Sequence, residues 1–518
     1  MKLPTKPNGQ KWGDRYEKWL HRDLLLAGYS LAEDPQNLDA ADSRSGEEIL
    51  TQLVALEVQT DERVGRKVRE QVFQVLRSFS ETDFQEQALE LLKARSESIE
   101  EDRLRKYRAE LGEKEVVIAE LLQSLRDEDS LMRGNAASAL GEVGQGSEAV
   151  VRTVLQSLRD EDSSVRMSAA FALGKLGQGS EAVVTAVLQS WQQDEDSDVR
   201  MSAALALGEL SPGSETVVTA VLQSLRDEDS SVRERAALAL GELGQSSETV
   251  VTALLQSLQQ DEGSSVRGAA ALALGELSPG SEVVVTAVLQ SLRDEDSDVR
   301  KSAAVALGQL GQSSEAVVTA VLQSLQQDEG SSVRGAAALA LGELGQDSEA
   351  VVTAVLQSLR QDEDSFVRWR AALALGELGQ GSEAVVTALL QSLRQDDDSF
   401  VRGSAAEALG ELGQGSEAVV TALLQSLQQD DDSLVRGSAA GVLGRVGQGS
   451  ERVVTALLPS LKDEDSSVRG SAAGTLGQWG KNSDAVRHQI LEWLDRNSDS
   501  ESIGHGIDAL WDATINES

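Results

Sequence analysis

The sequence predicts an all-α fold: a right-handed solenoid made by stacking antiparallel helix pairs. Three observations predict it. An arginine preceded by valine (by Met132 in the first case) recurs eleven times, at Arg133, Arg166, Arg200, Arg233, Arg267, Arg300, Arg334, Arg368, Arg402, Arg436 and Arg469, always 33 or 34 residues apart. Each recurrence spans two amphipathic helical patterns, neither of which can bury its apolar stripe alone. Aromatic residues make up only 3% of the chain, so the core must be built of Ala, Leu and Val.

Taken in order, residues 1–111 form a non-repetitive helical region. Helical periodicity is visible over residues 19–32, 46–58, 64–79 and 82–95. The opening MKLPTKPNGQKWGDRYEKW has no apolar core of the kind a secretory signal needs. The apolar run from Leu24 to Ala27 is far too short for a membrane span. A cytoplasmic protein is the expectation.

Residues 112–480 hold the eleven repeats. Six residues before each arginine stands an aspartate, for example Asp160, Asp194 and Asp227; three and four residues after it stands Ala-Ala, and eight after it Gly. The aspartate–arginine spacing does not change when the period does, so the extra residue of the longer repeats falls before the aspartate. In residues 181–193 the positions Val184, Val187, Leu188 and Trp191 follow the i, i+3, i+4, i+7 pattern of a first helix, A, with Ser180 as its N-cap. A second helix, B, runs over 198–210 with Val199, Ala203, Ala206, Leu207 and Leu210 inward. Turns such as Gly177-Gln178-Gly179 suit a left-handed C-cap, and Ser211-Pro212-Gly213 stops the helix by proline instead. A Gly inside a helix costs about 1 kcal/mol relative to Ala. Its retention in every B helix implies close approach between neighbouring backbones. Residues 481–518 read as degenerate capping helices, near 484–495 and 502–513, without the Asp…Arg signature.

Composition narrows the function. The chain has 86 acidic and 47 basic residues, a net charge of −39, which argues against nucleic acid and against an anionic membrane surface. There is no cysteine, and the three histidines, His21, His488 and His505, all lie outside the repeats. Thiolate chemistry is excluded, and so is histidine-based chemistry within the array. No GxxxxGK[ST] phosphate loop is present. The acidic loops, such as residues 194–198, lack the Gly and Glu of a calcium-binding EF-hand loop. Neither a cofactor nor a metal is expected. The basic clusters Arg63, Arg66, Lys67, Arg69 and Arg103, Arg105, Lys106, Arg108 are interleaved with acids and read as solvated helix faces.

The run SLRDEDSSVRMSAAFALGKLG (157–177) resembles the HEAT repeat, and more narrowly the short bacterial HEAT-like repeat also seen in phycobilin lyases. The resemblance covers about three-quarters of the chain. It implies a ladder between successive repeats in which Asp160, Asp194 and Asp227 pair with arginines such as Arg166, Arg200 and Arg233. WLHRDLLLAGYSLAED (19–34) resembles the helical linker of bacterial NACHT proteins. The iron-binding His-Glu pairs of the HEAT-like deoxyhypusine hydroxylases are absent, since none of the three histidines is followed by Glu.

These readings converge on a non-catalytic scaffold that binds a protein partner through a concave surface of B helices. The resemblance implies two alternatives: an accessory factor for tetrapyrrole attachment, and the sensor part of a NACHT-type signalling or defence system. On the exposed face of helix B (positions −2, +1/+2, +5 and +9 from the arginine) most repeats carry Ser, Gly, Asp or Glu. Phe366, Trp369, Arg370, Phe400 and Leu434 depart from that rule and are the expected protein-binding residues, beside Glu407 and Glu411.

Overall fold

The structure, a computed structural model, describes residues 13–33, 46–176, 181–210, 215–244, 246–278, 280–345, 348–379, 381–413, 415–447, 449–500 and 502–514. Among these residues every regular element is helical. They form two compact units, one of residues 118–392 and one joining 1–117 to 393–518.

Each repeat folds as the predicted pair, for example Glu248–Gln260 followed by Ser264–Leu277. The period change has a local cause. In 33-residue repeats helix A ends at Ser, as in Glu282–Ser291; in 34-residue repeats it runs on to Gln, as in Glu315–Gln327. Helix A is capped by a serine whose side chain accepts the N–H three residues on, as Ser247 does from Val250. Helix B is capped by aspartate in most repeats, as Asp296 accepts from the Asp298 N–H, and has Gly263 or Gly330 at that place in two others. The expected cap Ser180 and the turns at 177–179 and 211–213 lie outside the described residues.

In the repeat of Arg267, Val266, Ala270, Ala271, Ala273 and Leu274 are buried on helix B, facing Val250, Leu254 and Leu258 of helix A. Helix B of the third repeat buries Val199, Ala203, Ala206, Leu207 and Leu210 as expected. The stripe of its helix A is corrected: Val183, Val187 and Trp191 are buried, while Val184 and Leu188 are only partly covered. The face that meets the core is the i, i+4, i+8 row. In so apolar a helix two neighbouring rows are equally plausible by period alone.

Close approach explains the Gly of helix B. A Cβ placed on Gly141 would lie 2.9 Å from Ala172 Cα, and one on Gly275 2.9 Å from Ala306 Cα. For Gly141, Gly241, Gly275, Gly308 and Gly342 the partner is the Ala two residues before the next repeat's own Gly, while Gly410 meets Val442 and Gly444 meets Thr475 at that position, so the B helices stack closely on their backbones.

In the second unit the N-terminal helices are Gly13–Leu20, Arg22–Glu33, Gly46–Glu57, Asp61–Val64, Arg66–Arg77, Gln85–Lys93 and Glu101–Arg108. The single run predicted over 19–32 is broken at His21, whose φ is 49°. Gly46–Glu57 packs against Arg66–Arg77 as an A helix packs on its B helix. The C-terminal pair is Asp484–Arg496 and Gly504–Thr514. The second helix of that pair lies between Ser466–Gly480 on one side and Asp61–Val64 with Arg66–Arg77 on the other.

Alanine substitutions test the stacking. Gly275→Ala should destabilise the chain by about 1–3 kcal/mol, through overpacking against Ala306. Gly474→Ala, where a Cβ meets nothing within 4 Å, should stabilise it by up to about 1 kcal/mol through helix propensity. Thermal melts of the two variants read out the opposite signs.

Candidate functional site

The arginines are fixed first, because they orient the face of helix B. In the first repeat Arg133 donates from Nη1 to the Asp127 and Glu128 carbonyls of its own loop, at 3.0 and 3.1 Å. Its Nε and Nη2 grip Asp160 of the next repeat at 2.9 and 2.7 Å. Asp160 Oδ1 also accepts the Asp162 N–H, at 3.0 Å. One guanidinium therefore closes its own loop and clamps the following one in a two-pronged bond. The device recurs in Arg166–Asp194, Arg233–Asp261, Arg267–Asp294, Arg300–Asp328 and Arg334–Asp362. In the second unit it recurs in Arg402–Asp430 and Arg436–Asp463. Hydrogen bonds from Arg133 hold the Asp160 carboxyl below the usual carboxylate range against the cost of burial, and Arg436 does the same for Asp463.

One expected rung is absent. Arg200 keeps its two loop carbonyls, but its Nη2 donates to Ser231 Oγ at 3.1 Å and its buried Nε has no partner, so Asp227 is not clamped. The cause lies one helix earlier. Trp191 stands where other repeats have Leu. It is buried beside a small cavity lined by Leu207, Val217, Val221, Ala239 and Leu243. The B helices of these two repeats approach each other less closely than those of the joints on either side, Ser163–Leu176 with Ser197–Leu210 and Ser230–Glu242 with Ser264–Leu277.

The N-terminal helices reuse the device in a form the spacing conceals. Arg69 donates to the Glu57 carbonyl (3.3 Å) and to Asp61 (3.1 Å) behind it, and to Glu100 (3.3 Å) in the loop ahead. Arg103 grips the fully buried Glu57 at 2.7 and 2.9 Å. Its guanidinium lies 4.2 Å from the centre of the Phe73 ring. Arg69 and Arg103 are thus structural and not on solvated faces, a correction to the sequence reading. Asp61 stands eight residues before Arg69 rather than six, which hides the relation in the sequence.

The expected binding residues fall into both units. In residues 118–392, Phe366 covers Gly335 of the preceding B helix and meets Trp369 edge-on at 5.5 Å. Arg370 lies over both rings, 5.2 and 4.3 Å from their centres. Burial lowers the Arg370 pKa, opposed by the charges of Glu343 and Glu377. These three side chains are half-buried, and Phe366 does packing work. In the other unit Phe400 is 57% exposed and Leu434, 41% exposed, leans over Gly403. Arg445 pairs there with Glu407 at 2.5 Å.

The sequence reading missed a larger apolar exposure on the same face. At positions +1 and +5 of the second and third repeats stand Met167 and Phe171, then Met201 and Leu205, 37–48% exposed on two B helices that pack side by side. Lys175 lies 4.5 Å over the Phe171 ring. Applying the +1/+5 rule to these repeats would have found them. Among the described residues no three His, Asp or Glu gather to hold a metal, and no helix is long and apolar enough to cross a membrane.

The ladder makes two quantitative predictions. Arg267→Ala should cost about 1.5–3 kcal/mol, because it removes two charge-assisted hydrogen bonds from the half-buried Asp294; Arg200→Ala, with no carboxylate to strand, should cost clearly less, as amide exchange in the flanking B helices will report. Asp463→Asn should destabilise at neutral pH. A depressed carboxylate pKa contributes stability above its free value, about 3.9, and loses it as pH falls through the folded value. The difference between Asp463→Asn and the wild type should therefore fade below about pH 4 in urea titrations.

Comparison with known proteins follows the same lines. The family model for HEAT repeats matches residues 118–208, 184–275, 251–342, 318–410 and 420–510, and that for the PBS lyase HEAT-like repeat matches 401–429. A comparison with curated proteins gives no match. Among solved structures, yeast importin-beta (Kap95p) aligns over 95% of this chain and 74% of its own, at 15% identity and a TM-score of 0.51. The Escherichia coli protein YibA aligns over 51% of this chain and 92% of its own, at 21% identity and a TM-score of 0.37. Human deoxyhypusine hydroxylase aligns over 52% and 96%, at 22% identity and a TM-score of 0.24. With the arginine ladder, the Ala–Gly stacking and a family match over most of its length, the chain belongs to the HEAT-repeat family.

Proposed function

We propose that this chain is a non-catalytic scaffold that binds a protein partner on the exposed face of its B helices. The observation that carries the reading is the apolar group Met167, Phe171, Met201 and Leu205. Stacking uses the Val, Ala and Leu positions of helix B and leaves these four outside the core. Unbranched methionines adapt to varied partners, and aromatic side chains anchor interfaces. In the same unit Trp369 and Arg370 occupy the matching face of the eighth repeat and extend the class of residue that dominates binding energy.

Charge suggests what the partner carries beside its apolar anchors. Glu242 is pushed up from its ordinary pKa by burial and by the neighbouring Glu276, and Glu343 by burial against the pull of Arg370. Carboxylates so placed favour cations in a partner, and the net charge of −39 favours them at long range. The tetrapyrrole reading has behind it one repeat match at 401–429, and the NACHT reading only the segment 19–34.

A tagged chain used to capture proteins from its host tests the reading. The fourfold variant Met167→Ser, Phe171→Ser, Met201→Ser, Leu205→Ser should keep its helical circular dichroism and bind the captured protein roughly tenfold or more weakly. Equal retention by the folded variant would place the site elsewhere.

A further inference from the structure

The N-terminal helices and the C-terminal helix Gly504–Thr514 meet inside one compact unit, through a contact richer in polar groups than the Ala–Gly seam. Between repeats the B helices meet through Ala, Leu and Gly. Where Gly504–Thr514 meets the N-terminal helices, the contact is polar. Asp508 accepts the backbone N–H groups of Arg66 and Lys67, at 3.2 and 2.9 Å. These belong to the first turn of the helix Arg66–Arg77, whose N–H groups have no partner within the helix. The residue that would normally cap them is Gly65, which has φ 85° and no side chain to offer. The cap is supplied instead by a residue more than 440 positions away.

Around it lie further polar ties. Lys67 pairs with Asp512 one turn beyond Asp508. Arg22 donates to Thr514, with its guanidinium 5.5 Å from the centre of the Trp511 ring. Lys18 pairs with Asp495 at 3.1 Å. The ladder also changes character here: Arg469 has His505 Nδ1 at 3.4 Å and Glu62 at 3.8 Å where another repeat would offer an aspartate. Gly504 lies so close to the Asp61 carbonyl that a Cβ there would overlap it.

We propose that this contact is a releasable clasp between the N-terminal helices and the helix Gly504–Thr514, and that Asp508 is its pin. Asp508 satisfies two donors that nothing on their own helix can satisfy, so its removal takes away the cap of that helix and strands the part-buried Lys67 N–H. The clasp is closer to balance than the Ala–Gly joints because it keeps a carboxylate out of water. Burial pushes the Asp508 pKa up, opposed by the Lys67 and Arg66 N–H groups and by the charges of those two residues. Its surroundings also include Asp512 on its own helix and Asp61 and Glu62 opposite. Breaking the clasp costs the caps and the ion pairs and returns that carboxylate to water.

The absence of cysteine makes the test direct. Spin labels are placed through Lys18→Cys and Asp495→Cys, a pair about 60% exposed on each side and of little energetic weight. Dipolar spectroscopy should give one short distance in the otherwise wild-type chain. Asp508→Ala should raise the ratio of long to short distances roughly tenfold, about 1.4 kcal/mol, whereas Asp508→Asn, which keeps an acceptor oxygen and no buried charge, should retain the short distance. Lys67→Ala combined with Asp512→Ala serves as a second opening variant should Asp508→Ala lose helicity. An unchanged short distance in the folded Asp508→Ala and Lys67→Ala/Asp512→Ala chains would overturn the proposal. So would loss of the short distance on dilution with unlabelled chains, which would assign the contact to two copies.

Discussion

The rest of the structure depends on one bifurcated interaction: a guanidinium that donates to two carbonyls of its own loop and to both oxygens of the next repeat's aspartate. The loop carbonyls are left over where helix A ends and helix B begins. The aspartate in turn holds the N–H two residues on. Loop shape, helix start and repeat-to-repeat register are therefore set by the same few atoms. This explains why the aspartate–arginine spacing stays fixed while the inserted residue is absorbed at the end of helix A. Arginine suits the position because its planar fork offers donors on both sides at once, which a lysine ammonium does not.

The ladder also accommodates the acidity. Each clamped aspartate is neutralised locally, so the excess charge resides in the remaining loop acids and on the exposed face. The Ala–Gly seam does complementary work: it draws the B helices close enough for the arginine to reach. Where Trp191 enlarges the packing, Arg200 falls short of Asp227 and its Nε is left without a partner. One side chain in helix A thus alters a polar contact two helices away. Packing distance and hydrogen-bond geometry here are a single constraint.

Stacking consumes a fixed subset of positions in helix B and leaves −2, +1, +2, +5 and +9 to vary. Some of those variations turn inward after all, as Phe366 does over Gly335. Others stay in water, as Met201 and Leu205 do. An aromatic residue on the outer face is therefore no guide by itself. What matters is whether the preceding repeat presents a glycine for it to cover.

The sequence by itself determined the helix pairs, their boundaries within a residue or two, the inward row of helix B and the need for glycine eight residues after each arginine. These follow from period, capping residues and the cost of helical glycine, all of which are local. Four matters were decided only by tertiary structure. The row Val183, Val187 and Trp191 faces the core rather than Val184 and Leu188, because both rows are apolar and only the neighbouring helix chooses between them. Arg69 and Arg103 are structural rather than solvated, because their partners Glu57, Asp61 and Glu100 stand at spacings no repeat announces. The Arg200 rung is lost because a tryptophan in another helix sets the gap. The cap on the helix Arg66–Arg77 comes from Asp508, because the satisfaction of a backbone N–H depends on which atoms lie nearest in space and not on which are near in sequence.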